Sequence, residues 1–216
     1  MKERSRVVML CGDGFSTRAI YGGLKDEFTI VKVIIEKPVP QTTVLKKRIK
    51  RLGIVTVVGQ ILFMIYSKLL SKLSSARREQ IISETNMHND PINIGICSHV
   101  ESVNSDEVRN ILIDIMPDVV IVNGTRIISE NILTAIDCPF LNTHVGLTPK
   151  YRGVHGGYWA FANRDSANAG VTVHLVDKGI DTGGVLYQQR ISISNRDNFT
   201  TYPLLQTNAA IPLMAK

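Results

Sequence analysis

Hydrophobic residues fall along this chain in short runs separated by turn signals. Residues 6–11, with Val7-Val8-Met9-Leu10 at their centre, read as a buried strand. Gly12-Asp13-Gly14 follows, and then a helical pattern to about Lys25. Residues 29–35 form a second β-branched run, closed by Pro38 and Pro40. Beyond residue 85 the rhythm predicts strands over 92–97, 118–122, 140–143, 169–176 and 185–193. Between them it predicts helices over 105–116, 129–136 and 158–163, the first two capped by Ser105 and Ser129. Strands alternating with helices predict an α/β fold: a Rossmann-like open, mostly parallel sheet with helices on both faces. Residues 1–195 make one domain, and 196–216 a C-terminal helical segment that stops in mid-helix, as if more chain should follow.

Residues 43–85 break the alternation and read as a helical insertion. Lys46, Lys47, Arg48, Lys50 and Arg51 give five positive charges with no acid between them. Residues 52–67 then carry no charge, and include Ile54, Val55, Val57, Val58, Ile61, Leu62, Phe63, Met64 and Ile65. These sixteen residues fall short of the roughly 20 that span a bilayer. The first reading is a helix partly packed on the domain. The alternatives are a helix in the membrane plane behind a basic flank, and a true span. Residues 71–84 read as a polar, exposed helix.

The chain has 216 residues, enough for one sizeable core. The net charge of +6 owes much to the basic run. A single short run is weak ground for nucleic acid. It suits a solvated helix end, an anionic membrane surface or a phosphate-bearing ligand. Cys11, Cys97 and Cys138 are widely spaced and form no CxxC pair, which predicts buried free thiols and no metal site. The charged N-terminus precedes an apolar stretch too short for a signal peptide, so the expected location is cytoplasmic, with a peripheral seat on the inner membrane face as the variant. Gly12-x-Gly14 invites a dinucleotide reading, but Thr17 stands where the third glycine belongs, and Glu36 is the sole acid to close the second strand. A tight strand-to-helix turn explains these glycines without NAD.

The chemistry lies further on. Phe140-Leu141-Asn142-Thr143-His144 ends an apolar strand in two polar residues two apart, which share a face. They project from the carboxyl edge, where open α/β sheets bind ligands. Leu147-Thr148-Pro149-Lys150-Tyr151-Arg152-Gly153 follows. After an alternating strand comes Gly179-Ile180-Asp181-Thr182-Gly183-Gly184, its Asp 37 residues beyond the histidine. Taken singly, each polar residue has an ordinary turn or strand-end reading. Together and in order, they point to catalysis.

These motifs, over roughly residues 117–190, resemble the formyltransferase family, which includes glycinamide ribonucleotide, methionyl-tRNA and nucleotide-sugar amine formyltransferases. The resemblance implies N10-formyltetrahydrofolate as co-substrate, with Asn142, His144 and Asp181 as catalytic residues. It implies folate contacts from Asn123, Gly124, Thr125 and Arg126, faced by Asp177, Gly179 and Ile180. It implies acceptor contacts from Tyr151, Arg152, Gly153, His155 and Thr182. In such chemistry an Asn amide donates to a developing oxyanion, His relays a proton, and Asp orients the imidazole. His174 sits inside a strand and reads as structural; Tyr158 and Trp159 read equally as pocket walls or half-buried aromatics. The acceptor reading is an amino group on a nucleotide-linked sugar, as in surface-polysaccharide synthesis. It rests on the insertion and on Arg152-Gly153-Val154-His155-Gly156-Gly157. Glycinamide ribonucleotide, methionyl-tRNA and formylfolate hydrolysis are the alternatives within the family. A membrane-associated, non-catalytic binding protein on the same fold is the alternative outside it, and the retention of all three catalytic residue types argues against that. Nucleic acid is not an expected partner; a homodimer is left open.

Overall fold

The computed structural model describes residues 4–179 and 181–216. Its elements are β1 (Arg6–Gly12), α1 (Phe15–Leu24), β2 (Thr29–Glu36), α2 (Gln41–Leu52), α3 (Ile54–Leu73), α4 (Ser75–Glu84), β3 (Cys97–Val100), α5 (Asp106–Ile115), β4 (Val119–Asn123), α6 (Glu130–Leu133), β5 (Phe140–His144), α7 (Gly156–Ala162), β6 (Gly170–Leu175), β7 (Val185–Arg190) and α8 (Tyr202–Met214). The strands form one sheet in the order β3-β2-β1-β4-β5-β6-β7. Pairs from β3 through β5 are parallel, and β6 and β7 add antiparallel. The strand order turns back at β1 and β4, so the crevice lies beyond the carboxyl ends of the central strands.

The alternation inside β1 builds both layers. Val7, Met9 and Cys11 face Ile20 and Leu24 of α1 and Ala210 and Leu213 of α8. Val8 and Leu10 face Val108 and Leu112 of α5 and Ile132 of α6. Side chains two apart share a face, so one apolar strand feeds two cores. The three cysteines are free thiols; Cys11 is buried and the other two half-buried. Burial pushes the Cys11 thiol up to about 12.

Several expectations shift. Residues 92–96 are not strand: Ile94–Ile96 form a 3₁₀ turn, where the Asn93 side chain accepts from the Gly95 N–H at 2.9 Å. The strand begins at Cys97, where β2 offers Val33 as a partner. Ser105 caps α5 as expected, its hydroxyl accepting from the Val108 N–H. Ser129 does not cap α6; its hydroxyl is buried without a partner. The insertion is three helices. α3 runs for 20 residues, past the uncharged stretch to Leu73, and is long and apolar enough to cross a membrane by length and composition. α4 is not simply exposed. Ile81 is buried beside Ala19 and Leu204, and Arg77 forms a two-pronged pair with Asp197 at 2.9 and 3.1 Å.

Candidate active site

Two strands and one returning loop assemble a polar cluster. β5 ends in Asn142 and His144, and β6 runs antiparallel beside it in a register that sets Asn142 opposite His174. Paired residues project on the same side of a sheet. The Asn142 amide nitrogen accordingly lies 3.2 Å from His174 Nε2. The loop after β6 then brings back Asp181, held in the left-handed region at φ 51°. A non-glycine residue pays for that conformation, and such outliers collect at functional sites. One Asp181 oxygen accepts from the Gly153 N–H at 2.9 Å and lies 3.1 Å from His144 Nδ1. The other lies 3.5 Å from His174 Nε2. The three residues expected to meet do meet, and a second imidazole joins them.

The two histidines differ in what their nitrogens can do. His144 Nε2 is 2.6 Å from the Tyr151 carbonyl, which only accepts, so that nitrogen carries a proton. His144 is buried and does not line the adjoining cavity. The loop passes this close because of Gly146: a Cβ there would lie 2.5 Å from the Tyr151 carbonyl oxygen and 2.8 Å from His144 Nε2. His174 donates from Nδ1 to the Leu175 carbonyl at 2.7 Å, which leaves Nε2 at the cavity wall. Bare, Nε2 accepts from Asn142; protonated, it donates to Asp181. Burial opposes charge on His174, but the Asp181 hydrogen bond and the Leu175 carbonyl outweigh it and raise its pKa above the usual 6.5. Burial likewise opposes charge on Asp181, and the His174 and Gly153 hydrogen bonds with the nearby His144 ring hold its carboxyl below the ordinary range.

A cavity of about 140 Å³ opens beside this cluster. Asn142, His174 and Asp181 line it, together with Val122, Gly124, Thr125, Arg126, Ile127 and Ile128 from β4 and the loop after it, and Val176, Asp177 and Gly179 from the loop after β6. Residues expected to hold the folate thus line it from both loops, with three qualifications. Asn123 turns away, donating to the hydroxyls of Ser16 and Thr17 in α1. Arg126 has its guanidinium 2.6 Å from Glu36, whose other oxygen accepts from the Arg126 N–H at 3.0 Å, so this residue fixes the loop. Ile180 lies outside the described residues. Asp177 accepts from the Gly179 N–H and from the Thr182 hydroxyl, which organises its loop and occupies Thr182.

The residues expected to hold the acceptor divide. Tyr151 is core: it is buried, and its hydroxyl donates to Asp165 at 2.8 Å, so the carbonyl rather than the ring serves the site. Gly153 touches Asp181 through its N–H. Arg152 is exposed and forms no ion pair among the described residues; His155 is exposed at φ 62° just before α7. Two contributors were misread in the sequence. His174 was hidden by its position in mid-strand, since only the antiparallel pairing of β5 with β6 brings it opposite Asn142. Glu36, weighed only as the acid closing the second strand of a dinucleotide motif, is buried and clamps the backbone of residues 103 and 126. No group of three or more His, Cys, Asp or Glu placed to hold a metal occurs among the described residues.

A family model described as formyl transferase matches residues 6–204. Similar sequences include the methionyl-tRNA formyltransferases of Caldanaerobacter subterraneus subsp. tengcongensis, 38% identical over 103 residues, and Finegoldia magna, 34% identical over 96 residues. These alignments take in 47% and 44% of this chain and 33% and 31% of the relatives, so the chain matches about a third of their length. Among solved structures, glycinamide ribonucleotide transformylase 1 of Symbiobacterium toebii superposes with a TM-score of 0.62 at 19% identity, covering 100% of this chain and 87% of the other. A sugar N-formyltransferase from a Shewanella species superposes with a TM-score of 0.56 at 14% identity, covering 97% and 67%. At such identities the likeness is one of fold.

Proposed function

The chain belongs to the formyl transferase family, and on that premise we propose that it moves a formyl group from N10-formyltetrahydrofolate to a primary amine. The observation that carries this reading is the convergence of Asn142, His174 and Asp181 in the lining of one cavity, with buried His144 against Asp181. The cavity is narrower than the roughly 300–1,000 Å³ of most small-molecule sites, which suits a flat ring head with the rest of the carrier outside. Val122, Ile128 and Val176 supply apolar walls and the Gly124–Arg126 backbone supplies polar groups, so the residues present fit a pterin.

Bound there, the carrier would supply the formyl carbon. The amine nitrogen bonds to that carbon, the bond from the carbon to N10 breaks, and the proton lost by the amine ends on N10. The Asn142 amide donates to the carbonyl oxygen as negative charge develops on it, an interaction worth about 3 kcal/mol in comparable sites. His174 Nε2, rather than the His144 expected from the motif, takes the amine proton and returns it, because His144 is buried and does not line the cavity. Asp181 stabilises the charged ring meanwhile, and His144 holds Asp181 in place from behind.

The acceptor proposed is the amino group of a nucleotide-linked sugar. Arg152 is exposed, unpaired among the described residues, and one residue from the Gly153–Asp181 contact, a placement that suits a diphosphate. A second reading, methionyl-tRNA as acceptor, draws on the names of the similar sequences. Tetrahydrofolate release would be measured with a panel of nucleotide amino sugars, glycinamide ribonucleotide and charged initiator tRNA. The expected result is turnover with an amino sugar, lost in Asn142→Ala. Turnover only with the charged tRNA would replace the acceptor, and no turnover with any primary amine would sink the reaction.

A further inference from the structure

Helix α3 wears its polarity inside out. Its less exposed stripe runs through Val57, Gln60, Ser67, Leu70 and Ser71, so three of the five side chains that face the protein are polar. The opposite stripe, Val55, Val58, Leu62, Ile65, Leu69 and Leu73, is apolar and 51–83% exposed. A surface helix of a globular protein normally turns these faces the other way. Ile54, Ile61, Phe63 and Tyr66 widen the exposed apolar surface. It continues sideways through stacked aromatics: Phe63 on Phe199 at 5.5 Å, Phe199 edge-on to Tyr158 at 5.9 Å, and Tyr158 edge-on to Trp159 at 5.1 Å, with Trp159 half exposed. The five bases of α2 precede this surface, all exposed and none paired with a carboxylate among the described residues.

We propose that α2 and α3 together dock the protein on an anionic lipid surface, with α3 lying in the membrane plane and the bases of α2 on the headgroups. An apolar helix beside a basic one is the pattern of interfacial binding. A second copy of the chain fits less well. Gly59, Ile61, Tyr66, Lys68 and Lys72 border this stripe; the charges among them are all basic, so two copies meeting face to face would set like charges together. A span fits less well too. Four residues join β2 to α2, and α4 is pinned to the same body by Arg77–Asp197 and by Ile81, so both ends of the α2–α3 unit return to one side. This inference does not depend on the formyl-transfer reading.

Vesicle flotation of the full chain tests it, with phosphatidylcholine vesicles and phosphatidylcholine–phosphatidylserine vesicles as probes. The expected result is binding to the second kind, weakening about fivefold for each of Lys46, Lys47, Arg48, Lys50 and Arg51 changed to Gln, and falling with added salt. Leu62→Glu with Ile65→Glu should abolish binding while circular dichroism stays that of wild type. Equal binding to both vesicles, unchanged by the Gln substitutions, would overturn the proposal. So would a dimer that floats with neither vesicle and dissociates in the Glu variant. Retention in the bilayer after an alkaline carbonate wash would also overturn it, since that marks a span.

Discussion

The cluster around Asp181 and the surface of α3 handle polarity in opposite ways. The cluster draws an amide, two imidazoles and a carboxylate out of water, and each finds a partner within 3.5 Å. α3 holds apolar side chains in water, and Leu62, Ile65 and Leu69 stand more than half exposed. Buried polarity is costly unless it is matched internally, so the cluster is closed and specified by its own hydrogen bonds. Exposed apolarity is matched only by something outside the chain. The difference predicts where substitutions act: on reaction rate and acid–base behaviour in the first region, on association in the second.

The largest effect should come from Asn142→Ala. Loss of one donor aimed at a developing oxyanion typically costs a hundredfold or more in turnover. Asn142 is half-buried, and among the described residues its side chain hydrogen-bonds only His174, so the thermal midpoint should stay close to wild type. Activity within threefold of wild type would take Asn142 out of the chemistry. Next is Asp197→Ala, at the joint between the two regions. The Asp197 side chain is buried; burial opposes its charge, and Arg77 with Ser194 overrides this and holds the carboxyl at about 2. Against an ordinary 3.8, that is about 2 kcal/mol of stability, present above pH 4 and lost as the pH falls through 2. The midpoint at neutral pH should drop by roughly 4–8 °C. An unchanged midpoint would mean that α4, and α3 with it, is held by something else.

The sequence showed the cluster in part and the helix in part, for different reasons. Asn142 and His144 were legible because strand alternation is a local rule, and Asp181 because Gly-Ile-Asp-Thr-Gly-Gly is a local motif. His174 was not, because its role depends on a cross-strand register that no local pattern encodes. Tyr151 was misread because its carbonyl, a group common to every residue, is what His144 uses. In the insertion, counting uncharged residues stopped the helix near Ser67, although Lys68 and Lys72 are compatible with helix and α3 runs on to Leu73. The inverted face of α3 was unreadable for another reason: polarity along a helix says which residues share a side, not which side meets the protein.

A smaller effect separates the regions by pH. The pKa of His174 is raised in the folded chain, so its stabilisation is complete below about 6.5 and fades as pH rises through the raised value. The pKa of Asp181 is lowered, so its contribution is present above 3.8 and fades as pH falls through the lowered value. The pair should therefore stabilise most between those limits. Thermal midpoints of wild type and His174→Gln should differ most near pH 5.5 and converge as the pH rises past the raised value. A gap that stays constant with pH would mean that His174 acts by packing alone.

The smallest effect should come from Ile65→Ser in α3, and its smallness is what makes it informative. A buried Ile cut to Ser would lose transfer energy and leave a cavity, a loss of several kcal/mol. Ile65 is 59% exposed, on the stripe opposite the packed side of its helix. The change should therefore move stability by less than about 0.5 kcal/mol in lipid-free solution, read as the denaturant midpoint at unchanged slope. Formyl transfer to a soluble acceptor should be unchanged as well, because no residue of α3 lines the cavity. A loss of more than about 2 kcal/mol would place Ile65 in a packed interface of the protein itself. The apolar face would then be core, and the contrast between a closed polar cluster and an open apolar helix would fail at its second term.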